Sequence, residues 1–135
     1  MEDLFQGFDP SQYDDDARRQ WGQSEAFVES EQRTRRYTPD DWKALGAEQA
    51  AIYDDAYAAL KAGKTSSDAA VMDIAERHRM SIDRWFYRCS PRMHRGLAST
   101  YEGDHRFRQS IDKHGEGLTS FLAEAIRANA ARHRD

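Results

Sequence analysis

Cysteine is almost missing from this chain: Cys89 is the only one in 135 residues. That excludes an internal disulfide and any zinc site built on cysteine pairs. Long apolar runs are missing as well. No stretch approaches the ~20 residues that span a bilayer, and no basic segment followed by an apolar one opens the chain, so no secretory signal is read. With the lone thiol, these absences point to a reducing cytoplasm. Proline occupies only Pro10, Pro39 and Pro91, and glycine falls mostly at boundaries rather than inside patterned segments. Alternation of apolar and polar residues, the mark of a half-buried strand, is not sustained anywhere. Basic charge is in deficit too. A net charge of −4 argues against a domain that grips nucleic acid by itself, since such domains present a basic face.

What is present is dense helix patterning in one domain's length of chain. A short helix is expected from Pro10 to about Trp21, after a poorly ordered lead-in over residues 1–9. Another is expected from about Ser24 to Arg36. Its apolar content is only Ala26, Phe27 and Val28, so it depends on a partner surface. The next helix is better specified. Thr38 caps it, Pro39 takes the first helical position, and Asp40 and Asp41 complement the positive end of the dipole. Trp42, Leu45, Ile52, Tyr53, Ala56 and Leu60 form its apolar stripe, with Gln49 as an exception, and Gly63 stops it. A cap at Ser66 or Ser67 opens a helix bearing Val71, Ile74, Ala75, His78, Ile82, Trp85 and Phe86. Ser90 with Pro91 starts another, carrying Met93, Leu97 and Tyr101. Asp104 caps a short helix with Phe107 and Ile111. After the turn at His114–Gly117, the last helix carries Leu118, Phe121, Leu122, Ala125 and Ile126. The fold class is therefore all-α, with about five well-packed helices from Thr38 onward.

Charge is unevenly placed. Residues 1–17 hold six acids and no Lys or Arg, whereas residues 77–95 hold six arginines and one acid, Asp83. Opposite fields favour contact between the two segments; a solvated tail and a solvated helix face are the other reading.

Catalytic and metal chemistry find little footing. Cys89 with His94 has the ingredients of an activated thiolate, and nearby arginines would lower a thiol's pKa. No nucleophile signature or oxyanion-hole turn accompanies them. The histidines lack the close pairing that structural zinc needs. No cofactor motif is present, and Gly115-Glu116-Gly117 is a turn rather than a phosphate loop. A binding protein, not an enzyme, is the expectation.

The run Trp85-Phe86-Tyr87, followed by Cys89, Ser90, Pro91 and His94, gathers aromatics, a thiol and an imidazole at one helix–helix corner. Neighbouring helical residues point about 100° apart, so the three rings cannot all face one core centre. A ligand pocket would explain the surplus ring, and so would simple corner packing. Trp42, Trp85, Tyr87, Cys89, His94 and Tyr101 are the candidate lining, with Trp21 and Phe27 as cover. His78, on the apolar stripe, is either a hydrogen-bonded core histidine or a further lining residue.

Four pieces of this chain resemble a known family: GFDPSQYDDDARRQWGQSEAF, RRYTPDDW, AERHRMSIDRWFYRCSPRMHRGLASTYEGDHRFRQSID and GLTSFLAEAIRANAARH. In order, and over essentially the whole length, they are similar to the TipAS antibiotic-recognition domain of TipA-type regulators, members of the MerR family. The resemblance implies a globin-like helical core over residues 38–135, and over residues 1–37 a mobile lid that closes on the ligand. It implies binding of large apolar natural products, thiopeptide antibiotics above all, with transcription activated through a helix-turn-helix half that is absent from these 135 residues. The fragment would then be monomeric and the full-length regulator dimeric. Family members that stand alone sequester drugs, and others serve stress or stationary-phase regulation. Covalent capture in the family uses a thiol that adds to a dehydroalanine of the drug. That thiol aligns with Gly96, seven residues after Cys89, so reversible binding is implied unless Cys89 substitutes.

Overall fold

The computed structural model describes residues 25–133, apart from the side chains of Glu25 and Phe27. Six helices follow in order among them: α1 (Glu25–Thr34), α2 (Pro39–Lys61), α3 (Ala69–Trp85), α4 (Pro91–Gly103), α5 (His105–Asp112) and α6 (Leu118–His133). The five helices from Thr38 onward thus appear as the patterning predicts. The expected lead-in at 1–9 and helix at Pro10–Trp21 lie outside the described residues.

Local chemistry sets the helix ends. Thr38 and Asp41 form a reciprocal capping box at α2: the Asp41 N–H donates to Thr38 Oγ1 at 3.2 Å and the Thr38 N–H to Asp41 Oδ2 at 2.9 Å. Two orphan donors are thereby satisfied. At the other end Gly63 adopts φ +80°. Its N–H reaches Leu60 O while the Lys64 N–H reaches Ala59 O, the paired bonds of a Schellman stop. Helix α3 starts later than expected. Asp68, not Ser66 or Ser67, is its N-cap. The Asp68 carboxylate makes no cap bond and instead accepts the Thr65 N–H at 3.1 Å, closing the turn before the helix. Asp side chains commonly compete with a helix in this way. Ser90 caps α4 as expected, accepting the Met93 N–H at 3.1 Å. Asp104 ends α4 and caps α5 at once, so a single residue makes that elbow.

Helix α6 is the hub of the bundle. It packs on α2, α3, α4 and α5. Leu118, Leu122 and Ile126 are fully buried, and Ala123, Ala125 and Ala130 fill the flanks, where small side chains let neighbours come close. The expected stripe was narrower, and Phe121 is only half-buried, because α6 is enclosed by α3 on one side and α4 on another. Gln49, the exception in the α2 stripe, is buried too. The Glu76 carboxylate of α3 binds Arg79, Asn129 Nδ2 at 2.9 Å and His133 at 3.1 Å, tying the end of α6 to α3. Among the described residues no helix is long and apolar enough to cross a membrane.

Helix α1 is attached differently. Among its described side chains Val28 is exposed, Ala26 packs partly buried against the core and Ser30 is buried. Polar bonds also tie it to the end of α3. Arg33 donates to the carbonyls of Asp83 and Arg84, which the end of a helix leaves unpaired. Glu29 accepts the Arg88 N–H at 3.3 Å. Just beyond α1, the Tyr37 hydroxyl donates to the Trp85 carbonyl.

Candidate functional site

Where α1 meets the loop between α3 and α4, a cleft of about 420 Å³ opens. Helix α1 supplies Ala26 and Glu29, α3 supplies Arg79 and Asp83, and the loop and α4 supply Arg88, Cys89, Ser90 and Met93. The loop wall is fixed from beneath. Asp83 Oδ1 accepts the Cys89 N–H at 2.9 Å, and Arg79 donates to the Cys89 carbonyl at 2.7 Å. These two side chains, one turn apart on α3, bracket both polar groups of one peptide residue. Arg79 is itself held by Glu76. That contact, with the Asn129 bond and the charge of His133, pulls the Glu76 carboxyl down to about 2 despite its partial burial. The cleft therefore combines mixed charge with the apolar Ala26 and the exposed Met93.

Of the sequence-predicted site residues, Cys89 lines this cleft. It is 1% exposed, and burial pushes its thiol up to about 12, with Arg79 opposing and Asp83 and Glu76 reinforcing the shift. The thiol is thus protonated at neutral pH, which suits packing rather than nucleophilic attack. Gly96 lies on the exposed surface of α4, one turn beyond the cleft residue Met93, and a Cβ there meets nothing within 4 Å.

The other described candidates are not part of the cleft lining. Trp42 and Tyr87 are buried, the latter with its hydroxyl pKa raised by desolvation. Trp85 is the member of the aromatic triplet that turns elsewhere. It is half-buried, donates Nε1–H to Glu48 at 3.1 Å and meets Tyr37 edge-on at 5.6 Å. Tyr37 also meets Trp42 edge-on at 5.4 Å. His78 and His94 face each other across α3 and α4, with Nδ1 and Nε2 2.9 Å apart. The Tyr53 hydroxyl stands 3.5 Å from His78 Nε2, and Tyr101 meets the His78 ring edge-on. Desolvation lowers both imidazoles, His78 to about 4, so both are neutral. Trp21 and the Phe27 side chain, expected as cover, lie outside the described residues.

Sequence reasoning missed Glu29, Arg79, Asp83 and Met93 as cleft residues. The signal for two of them was available: Arg79 and Asp83 are spaced i, i+4 and so share one face of α3. Among the described residues, no group of three or more His, Cys, Asp or Glu side chains is placed to hold a metal ion.

Comparison with known proteins bears on this geometry. The TipAS antibiotic-recognition domain matches residues 13–129. The HTH-type transcriptional activator TipA of Streptomyces coelicolor is 37% identical over 131 residues, 97% of this chain and 52% of that protein. The HTH-type transcriptional activator mta of Bacillus subtilis is 39% identical over 114 residues, 84% of this chain and 43% of that protein. This chain thus spans about half the length of the curated relatives it matches. The structure of TipAS from Streptomyces lividans in complex with nosiheptide, a thiopeptide antibiotic multidrug resistance system, superimposes with a TM-score of 0.90 at 36% identity. The match covers 98% of this chain and 92% of that one.

Proposed function

The chain belongs to the TipAS antibiotic-recognition domain family, and we propose that it is the effector-binding domain of a MerR-type transcriptional activator, sensing a large, mostly apolar natural product of thiopeptide type. The observation that carries this reading is the near-complete superposition on TipAS bound to nosiheptide. The cleft at the α1–α3–α4 corner is where we place the ligand. Met93 and Ala26 offer apolar contact. The Asp83 carboxylate and the Arg88 guanidinium offer the few polar contacts that orient such a ligand. Trp42, Tyr87, His94 and Tyr101 are buried and support the corner as core, and residues 1–37 act as the covering lid over a core of residues 38–135. DNA contact belongs to a helix-turn-helix half outside these residues, and the protein works in the cytoplasm.

We assign the chain binding rather than catalysis. A protonated, buried thiol and two neutral, buried imidazoles are poorly prepared for proton or acyl transfer. Binding is reversible in this reading, since the surface position that would carry the capturing thiol is Gly96.

Thermal melting with intact-mass analysis, in the presence of nosiheptide, tests the proposal. Ligand at a hundredfold excess over Kd adds about 2.7 kcal/mol, so the melting temperature should rise by roughly 5–10 °C for a domain of this size, with the mass unchanged. No shift with any thiopeptide at solubility-limited concentration would overturn the ligand class. A mass gain equal to the drug would overturn reversibility and make Cys89 the capturing thiol.

A further inference from the structure

Arg79 puts all three of its guanidinium nitrogens to use. Nε donates to Glu76 Oε1 at 3.0 Å and Nη2 donates to Glu76 Oε2, a two-pronged pair across one turn of α3. The remaining nitrogen, Nη1, donates to the Cys89 carbonyl at 2.7 Å. A guanidinium is a flat, rigid fork, so fixing two of its nitrogens on a carboxylate aims the third. The carboxylate is itself fixed from another helix. Asn129 Nδ2 of α6 donates to Glu76 Oε1 at 2.9 Å, and His133 Nε2 stands 3.1 Å from the same oxygen. Asn129 is fully buried. Its amide oxygen accepts Arg132 Nε at 2.7 Å, and Arg132 pairs with Asp73 at 2.9 Å. Both ends of the Asn129 amide are thus engaged, which sets its orientation. Neither Asn129 nor Glu76 lines the cleft. Glu76 borders instead a second groove, of about 280 Å³, between α2 and α3.

We propose that Glu76 and Asn129 are positioning residues for the cleft, setting its Cys89 wall through Arg79. The donors from α6 converge on the very oxygen that takes Arg79 Nε, so a shift of Asn129 turns the fork. A staple between α6 and α3 would need no such convergence. The pair is sheltered, with the Arg79 side chain 15% exposed and that of Glu76 26%, so solvent and salt weaken it little. The Glu76 carboxyl, held down to about 2 by Arg79 above all, stays ionised at neutral pH and keeps the fork engaged. At the far end, Asp83 holds the Cys89 N–H while Arg79 holds the carbonyl. Once the fork turns away, that carbonyl loses a donor, and a sheltered carbonyl without one is costly. The loop then moves outward to reach water, and the Cys89 thiol moves with it. The wall is set without any ligand. Its bearing on affinity rests on the placement of the thiopeptide in this cleft.

Alkylation of Cys89, the chain's single thiol, by uncharged iodoacetamide reads the wall in the full chain without ligand, through intact mass. Asn129→Ala and Glu76→Gln should each speed alkylation roughly three- to tenfold, the weight of about one hydrogen bond in an opening equilibrium. Gly115→Ala, in the turn before α6 and off this route, is the comparison at equal loss of stability. Equal acceleration there would mean that the thiol is reached by global unfolding and would overturn the proposal, as would an unchanged rate in Asn129→Ala. Arg79→Lys keeps the charge and loses the fork. In that background Asn129→Ala should add nothing further, and an undiminished increase would overturn the route through Arg79. Nosiheptide affinity of the same variants separates this from the ligand's placement. Faster alkylation with weaker binding supports both. Faster alkylation with unchanged binding leaves the positioning roles standing and moves the ligand out of this cleft.

Discussion

His78 Nδ1 and His94 Nε2 share one hydrogen bond of 2.9 Å in a layer where each residue is only 1% exposed. One ring donates and the other accepts across this contact, and burial keeps both imidazoles neutral. His94 Nδ1 and the Ser81 hydroxyl, buried in the same helix pair, have no partner among the described residues. No carboxylate contributes to the shift of either imidazole, so an added proton would be buried there without a counter-charge.

Stability should accordingly fall in acid, in two consecutive windows. The unfolded chain protonates His78 near 6.5 and the folded one only near 4. Between these values the unfolded state binds more protons, so stability is full above pH 6.5 and declines as pH drops towards 4. The loss is on the order of 3 kcal/mol at 1.36 kcal/mol per pH unit. Glu76, held down to about 2 from 4.5, adds a further decline from pH 4.5 downward. Equilibrium denaturation at pH 7.5, 5.5 and 4 measures the slope. A flat response from 7.5 to 5 would show that the histidine pair is not neutral in the fold.

Gly115 should tolerate no side chain. A Cβ at this position lies 2.1 Å from Tyr57 Cδ1, inside the ring contact. Gly115→Ala is expected to cost about 1–3 kcal/mol through forced repacking, lowering the melting temperature by several degrees. In a Tyr57→Ala background the same substitution should cost much less, and an undiminished cost would place the strain elsewhere.

Removing the bonds that hold α1 should loosen that helix alone. Arg33→Ala strips the cap from the last carbonyls of α3, and Tyr37→Phe removes the bond to the Trp85 carbonyl. Each should cost about 1 kcal/mol. Amide exchange across residues 25–36 should rise, with α6 unaffected. A loss of protection spread over the whole bundle would mean that α1 is part of its cooperative core.

Gly96→Cys should convert binding into covalent capture. The position is exposed, open around its Cβ and one turn beyond Met93, and helix propensity favours the change slightly. Incubation with a dehydroalanine-bearing thiopeptide should then increase the mass by one drug, while the unaltered chain gains none. Addition to the unaltered chain, blocked by Cys89→Ser, would show that burial does not silence Cys89.

Much of the fold was legible because local chemistry decides it. Thr38-Pro39-Asp40-Asp41, Gly63, Ser90-Pro91 and Asp104 mark helix ends through bonds within a few residues, and each boundary falls where those residues place it. Asp68 escaped because its carboxylate had two local bonds to choose from, and the one to Thr65 ends a turn rather than starting a helix. The cleft was less legible. Its walls join Glu29 to Arg88 and Arg79 to Cys89, pairs that no periodicity links and that only the packing of α1 on α3 brings together. The aromatic corner was correctly picked out as crowded. What composition could not say is that Phe86 and Tyr87 turn inward as core while Trp85 takes a separate partner in Glu48.

The anchoring of α1 has an evolutionary corollary. Arg33, Tyr37 and Glu29 grip the main-chain groups of residues 83, 84, 85 and 88 rather than their side chains. A main-chain group survives nearly every substitution. The side chain of Arg88 is therefore free to drift under selection for new chemicals while the helix beside it stays moored. A lineage can retune what this corner recognises without rebuilding the joint that holds it.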